Sequence, residues 1–326
     1  MQMRLPLRAL AYAVAVADTG SISGAARRLR LSQPSLSEAI AACEAEFGFP
    51  LFVRHHARGV SPTPAGARVL AEARALLAHA EDFSHAARAM GHDPIGEISV
   101  GCFISVAPRF IPSLLAGFRG DFPRVRVAVE EGDHDAVLDG LVEGRTELAL
   151  AYDYALRDGL RAEPLAHLPP HAVLPVTHRL ARRASVKLAE LVEEPFLLLD
   201  LPQSRDYFLG LFRTAGLEPR IGFRSRSIEM VRGMVSAEHG WSILNIVPRS
   251  PYTVDGRRIV ALPLEPALPA VTIMLLSMAA RPRRPAVEAF AGFVRHAFAR
   301  GGMFDPQQPE RFGMLRRSSD SQALSD

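Results

Sequence analysis

Residues 22–41 read ISGAARRLRLSQPSLSEAIA. This run predicts two short helices around a tight turn. Ser23 is expected to cap the first helix, whose small apolar inner face is Ala25, Ala26 and Leu29. Arg30 and Leu31 make the turn. Ser32 then caps the second helix, with Gln33 and Pro34 at its first two positions, where a missing N–H is tolerated. Leu36 and Ile40 share one face of that helix and are expected to pack inward. The opposite face carries Gln33, Ser35, Ser37 and Glu38, short or polar side chains able to reach base edges or phosphates from a helix N-terminus.

A helical hairpin alone is a common object, and the flanking chain decides what this one is for. Residues 51–53 (LFV) and Val60 bracket a turn-like HHARG run, residues 55–59, which predicts a small β-hairpin wing carrying Arg54 and Arg58. Up to residue 60 the bases are Arg4, Arg8, Arg27, Arg28, Arg30, Arg54 and Arg58, against Asp18, Glu38, Glu44 and Glu46. That excess equals the net charge of the whole chain, +3, so the positive surplus sits where a phosphate-binding surface needs it.

Several spaced motifs agree with one family. The stretches LRALAYAVAVADTGSIS (7–23), the Ala25–Ala26 pair, SQPSLS (32–37), LFVR (51–54) and TPAG (63–66) resemble the LysR-type transcriptional regulators. The resemblance runs from about residue 5 to about residue 300 and is strongest in the first 66. Members usually have a bulky aromatic at the position of Ile22 and a basic residue at that of Glu38. A carboxylate at Glu38 forgoes a phosphate or guanine contact and suits a cytosine amino group instead. The resemblance implies DNA contacts by Ser23, Ser32, Gln33, Pro34, Ser35, Ser37, Glu38, Arg54 and Arg58. It also implies double-stranded DNA and a small-molecule effector as partners, a homodimer or homotetramer, and RNA polymerase as a further candidate partner.

Thr63 and Pro64 open a long helix expected to run to about Met90, before Gly91 and Pro94. Val69, Ala73, Leu76, Ala80, Phe83, Ala87 and Met90 alternate in steps of four and three, a heptad seam that wants a partner helix and therefore predicts a dimer. From about residue 96 the pattern turns to strand and helix in alternation. Strands are expected at 97–101, 125–129 and 147–151, with helices at 107–118 and 134–143 between them, giving a parallel sheet. A second set follows, with strands at 171–176, 196–200, 221–223, 241–246 and 259–262 and helices at 206–215 and 228–238. A strand at 271–276 and a helix at 285–300 close the domain. The expected fold is an N-terminal winged helix-turn-helix, all-α apart from its wing, plus a linker helix and a two-lobed α/β effector domain that the resemblance likens to a periplasmic binding protein. The corresponding segments are 1–62, 63–92 and 93–300, with lobe 1 at about 95–164 and 270–300 and lobe 2 at about 165–269. Crossing strands are expected near 162–168 and 264–271, and a polar, disordered tail over 301–326.

Ligands of such sheets bind beyond the strand C-termini, in the crevice between lobes. Three loops are expected there. Ser105 follows the first strand and precedes a helix N-terminus, where exposed amides suit an anion. Gln203, Ser204 and Arg205 sit in a second such loop, where a hydroxyl and a guanidinium suit a carboxylate. Ser227 heads a third helix, with Glu229 in its first turn. Asp153 and Asn245 are further candidates. Together they predict a small anionic metabolite.

Composition fits this reading. The 326 residues are 48% hydrophobic and 22% charged, ordinary for a globular protein of more than one domain. No secretion signal opens the chain and no run of about eighteen apolar residues predicts a membrane span, which points to the cytoplasm. Cys43 and Cys102 fall in different predicted domains and fit a reducing compartment, with a redox pair as the alternative. No cofactor is expected. Two rivals fare worse. Residues 240–244, GWSIL, nearly match a nucleophile elbow, but Leu244 stands where the sharp turn needs glycine, and no dinucleotide or phosphate-loop motif is present. A transporter's solute-binding protein fits the α/β lobes but not the N-terminal segment.

Overall fold

The computed structural model describes residues 6–55, 59–89, 94–246 and 250–306. Two separate apolar cores organise them. The smaller belongs to α1 (Leu7–Thr19), α2 (Ile22–Leu29), α3 (Gln33–Phe47), a hairpin of β1 (Phe52–His55) and β2 (Gly59–Pro62), and the start of α4 (Pro64–Ala89). Val16, Ala25, Leu36, Ile40, Cys43, Leu51 and Leu70 fill it. α1 stops at Gly20, whose left-handed φ of 61° ends the helix. The cap of α2 is Ser21, not Ser23: the Ser21 hydroxyl accepts from the Gly24 amide at 3.2 Å. Ser23 lies inside the helix, and its hydroxyl meets that of Ser21 at 2.9 Å. Arg30, at φ 55°, makes the turn. Ser32 caps α3 as expected, accepting from the Ser35 amide at 3.2 Å. Gly59, at φ 86°, brings the wing against the Gly20 carbonyl, where a β-carbon would clash, and the Val60 amide donates to that carbonyl at 2.8 Å.

The seam of α4 is divided. Val69 packs on the smaller core and Ala73 is buried, because α1 lies along the first turns of α4. Over that half the partner helix the seam wants is α1 of the same chain, not a second copy of α4. Leu76 and Phe83 further along are 46% and 75% exposed. Met90 and the side chain of Ala87 lie outside the described residues.

The larger core belongs to two sheets. The first has strand order β4-β3-β5-β12-β6 and contains β3 (Gly96–Phe103), β4 (Val125–Gly132), β5 (Leu148–Tyr152), β6 (Leu160–Leu168) and β12 (Val271–Met278). β3 pairs in parallel with β4 and β5, and β12 runs antiparallel to β5 and β6. Three helices, α5 (Ala107–Asp121), α6 (His134–Val142) and α9 (Pro285–Phe298), pack on this sheet. In the second sheet β7 (His171–Pro175) lies between β10 (Ser242–Leu244) and β11 (Ile259–Pro263), while β8 (Phe196–Leu199) pairs in parallel with β9 (Ile221–Ser225). The Leu197 amide, donating to the Trp241 carbonyl at 2.8 Å, joins the two groups of strands. α7 (Pro202–Thr214) and α8 (Ile228–Ser236) cover this side.

Two passages link the sheets. The first continues from β6 into β7. The return, expected as a strand over 264–271, is irregular until Val271, since Pro263, Pro266 and Pro269 withhold the amides a ladder needs. The tail expected from residue 301 also begins later. Phe304 and Asp305 are both 1% exposed, and Phe304 packs edge-on against Phe110 and tilted against Phe298 while its amide donates to the Ala297 carbonyl at 2.6 Å. Residues 307–326 lie outside the described part.

Candidate DNA-binding face and effector cleft

The exposed turn at the start of α3 follows from burial on its other side. Leu36 and Ile40 are 0% and 3% exposed and Cys43 is fully buried, which turns Ser32, Gln33, Pro34, Ser35 and Glu38 to the surface with Ser37 half-buried beside them. Pro34 adds a rigid first turn. Arg54 stands exposed on β1 in the wing, next to which His55 and Ser61 share a hydrogen bond of 2.7 Å across the hairpin. Glu44 fixes the wing's entry, accepting from the Leu51 and Phe52 amides at 2.7 and 3.2 Å. Ser23 belongs to α2, where it is exposed. Arg58 lies outside the described residues.

The cleft between the sheets is lined with rings. Phe103, at the end of β3, packs edge-on against His134 and Tyr152, and Tyr154 packs against His134, Tyr152 and Tyr207 from α7. The Ser105 hydroxyl, 9% exposed, donates to the Tyr152 hydroxyl at 3.3 Å. Ser204, 2% exposed, approaches the Tyr154 side chain from the opposite lobe. Burial raises the phenols of Tyr152 and Tyr154 well above the ordinary tyrosine range, and pushes that of Tyr207 up to about 12. All three therefore stay protonated at neutral pH and keep a donor.

His134 is the least satisfied group in the cleft. It is fully buried, and neither ring nitrogen has a hydrogen-bond partner among the described residues. Burial depresses its pKa; the nearby Tyr154 main chain and the carboxylates of Asp135 and Asp133 oppose that shift without overcoming it. Two polar bridges close the rim above it. Arg226, just before α8, donates to Asp133 at 3.0 Å, and the Gln203 amide donates to Asp135 at 2.9 Å.

The remaining candidates make the following contacts. Arg205, in the first turn of α7, lies beside Asp200, 3.6 Å away, and Asp206, 3.3 Å away, both in its own lobe. Ser227 caps α8, accepting from the Met230 amide at 3.3 Å. The Asp153 carboxylate accepts from the Thr272 amide at 2.9 Å and ties β5 to β12. Asn245 is buried and donates to the Leu168 carbonyl and the Tyr207 hydroxyl, both at 2.9 Å, while Tyr207 donates to the Pro269 carbonyl at 2.7 Å. Asn245 and Tyr207 thus clamp both passages between the lobes. Sequence reasoning missed His134, Tyr152, Tyr154, Tyr207 and Arg226, although Tyr152 ends β5, His134 and Tyr154 lie two residues beyond the ends of β4 and β5, and the rule applied to Ser105 reaches all three.

A winged helix-turn-helix head joined by a long helix to a two-lobed α/β sensor defines a ligand-responsive DNA-binding regulator. Two family models agree: a bacterial regulatory helix-turn-helix protein of the lysR family matches residues 7–67, and a LysR substrate binding domain matches residues 91–299. The chain belongs to the LysR family of transcriptional regulators. It is 36% identical over 247 residues to the HTH-type transcriptional regulator YnfL of Escherichia coli (strain K12), covering 74% of this chain and 82% of that one. The crystal structure of HinK, a LysR family transcriptional regulator from Pseudomonas aeruginosa, matches at 38% identity and a TM-score of 0.62, over 91% of this chain and 99% of that one. Full-length CbnR complexed with its target DNA matches at 26% identity and a TM-score of 0.55, over 90% of this chain and all of that one, 100%. Among the described residues no helix is long and apolar enough to cross a membrane.

Proposed function

We propose that paired α3 helices read an interrupted palindrome through Gln33, Pro34, Ser35, Ser37 and Glu38, that Arg54 holds the wing to phosphate, and that a small anionic metabolite between the lobes governs the outcome. The observation that carries this reading is the exposed, Ser32-capped first turn of α3, held out by the buried Leu36 and Ile40. The exposed Leu76 and Phe83 supply a dimer seam on α4 that would set two heads on a two-fold axis. CbnR bound to its target DNA is a relative of the same build. A DNA-binding sensor rather than an enzyme is the reading that the head and the two-lobed domain favour together, and a cytoplasmic protein fits both roles. Arg226, which faces Asp133 across the rim, is the cation we assign to an anionic ligand in place of Arg205.

Anisotropy titration of the DNA upstream of the gene, over a salt series, tests the head. Arg54→Ala should lower the salt slope by about 1, whereas Gln33→Ala should weaken the specific site and leave the slope unchanged. Salt-insensitive or absent binding would refute the assignment. Calorimetric titration with a panel of small carboxylates tests the cleft. Arg226→Gln should abolish the heat of a binding carboxylate and Arg205→Gln should spare it; the reverse pattern would refute our placement of the anion.

A further inference from the structure

The helix α6 touches both functional ends of the chain. At its N-terminus Asp133 caps it, accepting from the Ala136 amide at 3.2 Å, and Asp133 and Asp135 take the rim bridges from Arg226 and Gln203. At its C-terminus the last carbonyls are held by arginines. Arg281 donates to the Leu141 carbonyl at 3.1 Å and the Val142 carbonyl at 3.4 Å, and pairs with Glu72 of α4 at 3.2 Å. Arg74 of α4 donates to the Glu143 carbonyl at 2.8 Å and to Asp18 of α1 at 2.7 Å. Guanidiniums at this end are favoured by the exposed lone pairs of the last carbonyls and by the helix dipole. The next residue, Gly144, runs so close to α4 that a β-carbon there would sit 2.9 Å from the Ala71 carbonyl oxygen.

Between these ends α6 is stiff. Val137, Leu138 and Leu141 are buried on the first sheet, and the helix spans about 13 Å at about 1.5 Å per residue. The junction with α4, in contrast, is held by polar contacts and borders a groove of ≈ 890 Å³ whose lining includes Arg74, Glu72, Arg281 and Arg284. Polar intrachain contacts of this kind allow relative movement, where a packed apolar core does not.

We propose that α6 is a strut coupling closure of the cleft to the pose of the DNA-binding head, with the Arg74–Glu143–Asp18 and Arg281–Glu72 contacts as its latch. This rests on the reading of the cleft as the effector site, and supplies the regulation of that site. Closing the rim holds the N-terminal end of α6 through Asp133 and Asp135; the latch holds the head on its C-terminal end. Linkage then requires reciprocity: loosening either end loosens the other.

Hydrogen–deuterium exchange on the full chain, without DNA or ligand, tests it. Asp133→Asn with Asp135→Asn keeps a residue able to cap α6 and weakens the rim. It should raise exchange about fivefold in residues 70–80, at the low end of measured couplings. Arg74→Gln with Arg281→Gln should raise exchange in residues 202–207 and 226–232 by a similar factor. Arg226→Gln with Gln203→Ala opens the rim from the other lobe, leaves α6 unaltered, and should reproduce the first result. A change confined to the mutated end, in either direction, overturns the proposal. Because no DNA or metabolite enters the measurement, loss of DNA binding with coupling intact would count against the proposed function alone.

Discussion

The recognition turn and the effector cleft are built in opposite ways. The turn at Ser32–Glu38 is made by neighbours in sequence: a cap, a first-turn proline and two inward side chains on one helix. The cleft is made by residues far apart in the chain, such as Tyr154 and Tyr207, whose rings lie 5.7 Å apart, and Ser105 and Tyr152. The head therefore depends on a small core of its own, and the cleft on the larger one. This difference makes the two regions separable by mutation.

The largest separation should come from Leu36→Ala. Leu36 is 0% exposed at the centre of the smaller core. Its truncation should cost the head about 2–5 kcal/mol by lost burial and a residual cavity. Calorimetry should show an early transition for the head while the effector domain melts as before. A uniform shift of one transition would break the comparison, since it would mean that the two cores unfold as one.

Asn245→Ala should act on the other side alone. It strips a donor from the Leu168 carbonyl and from Tyr207, leaving buried polar atoms without that partner. The expected cost is about 1–3 kcal/mol, confined to the α/β domain, read in urea unfolding followed by the Trp241 fluorescence.

Acid should also tell them apart. His134 and His171 have pKa values lowered chiefly by burial. The folded state therefore binds fewer protons than the unfolded one once pH falls below about 6.5, and stability must fall with it. The sign is opposite to that of a salt-bridged histidine. Thermal melts between about pH 7.5 and about pH 5.5 should show a loss on the order of 1 kcal/mol in the transition of the effector domain. His134→Gln should reduce that loss and leave the part due to His171. A pH-independent difference between the two proteins would show that His134 does not titrate as a buried neutral ring.

How far each region can be read in advance follows from the same difference. Strand and helix periodicity gave the elements of both sheets, because alternating and continuous apolar runs are local facts. The cap at Ser32 and the buried pair Leu36 and Ile40 were equally local. The partner of Arg205 was not: it depends on how Asp200, ending β8, lies beside the first turn of α7. Nor was the isolation of His134, which comes from Phe103 and Tyr154 closing on it from other elements. The division of the seam on α4 was missed for the same reason, since nothing in a heptad tells whether α1 will cover it. The return passage at 264–270 is an intermediate case, because its prolines were visible but were read as part of a strand.

One local error remains, and it offers the finest test. Ser21 and Ser23 are both serines near the start of α2, and the sequence reading puts the cap at Ser23. The backbone decides: Ser21 is extended, with φ −154° and ψ 129°, the geometry of a cap, and its hydroxyl faces the Gly24 amide. Ser23 is already helical, so its hydroxyl reaches back only to that of Ser21. Ser21→Ala should thus cost about 1 kcal/mol and raise amide exchange at the first turn of α2. Ser23→Ala should cost no more than about 0.5 kcal/mol, as for a surface site without a special role. If Ser23→Ala proved the more damaging, the cap would be the one the sequence suggested, and the entry into the helix-turn-helix would have to be redrawn.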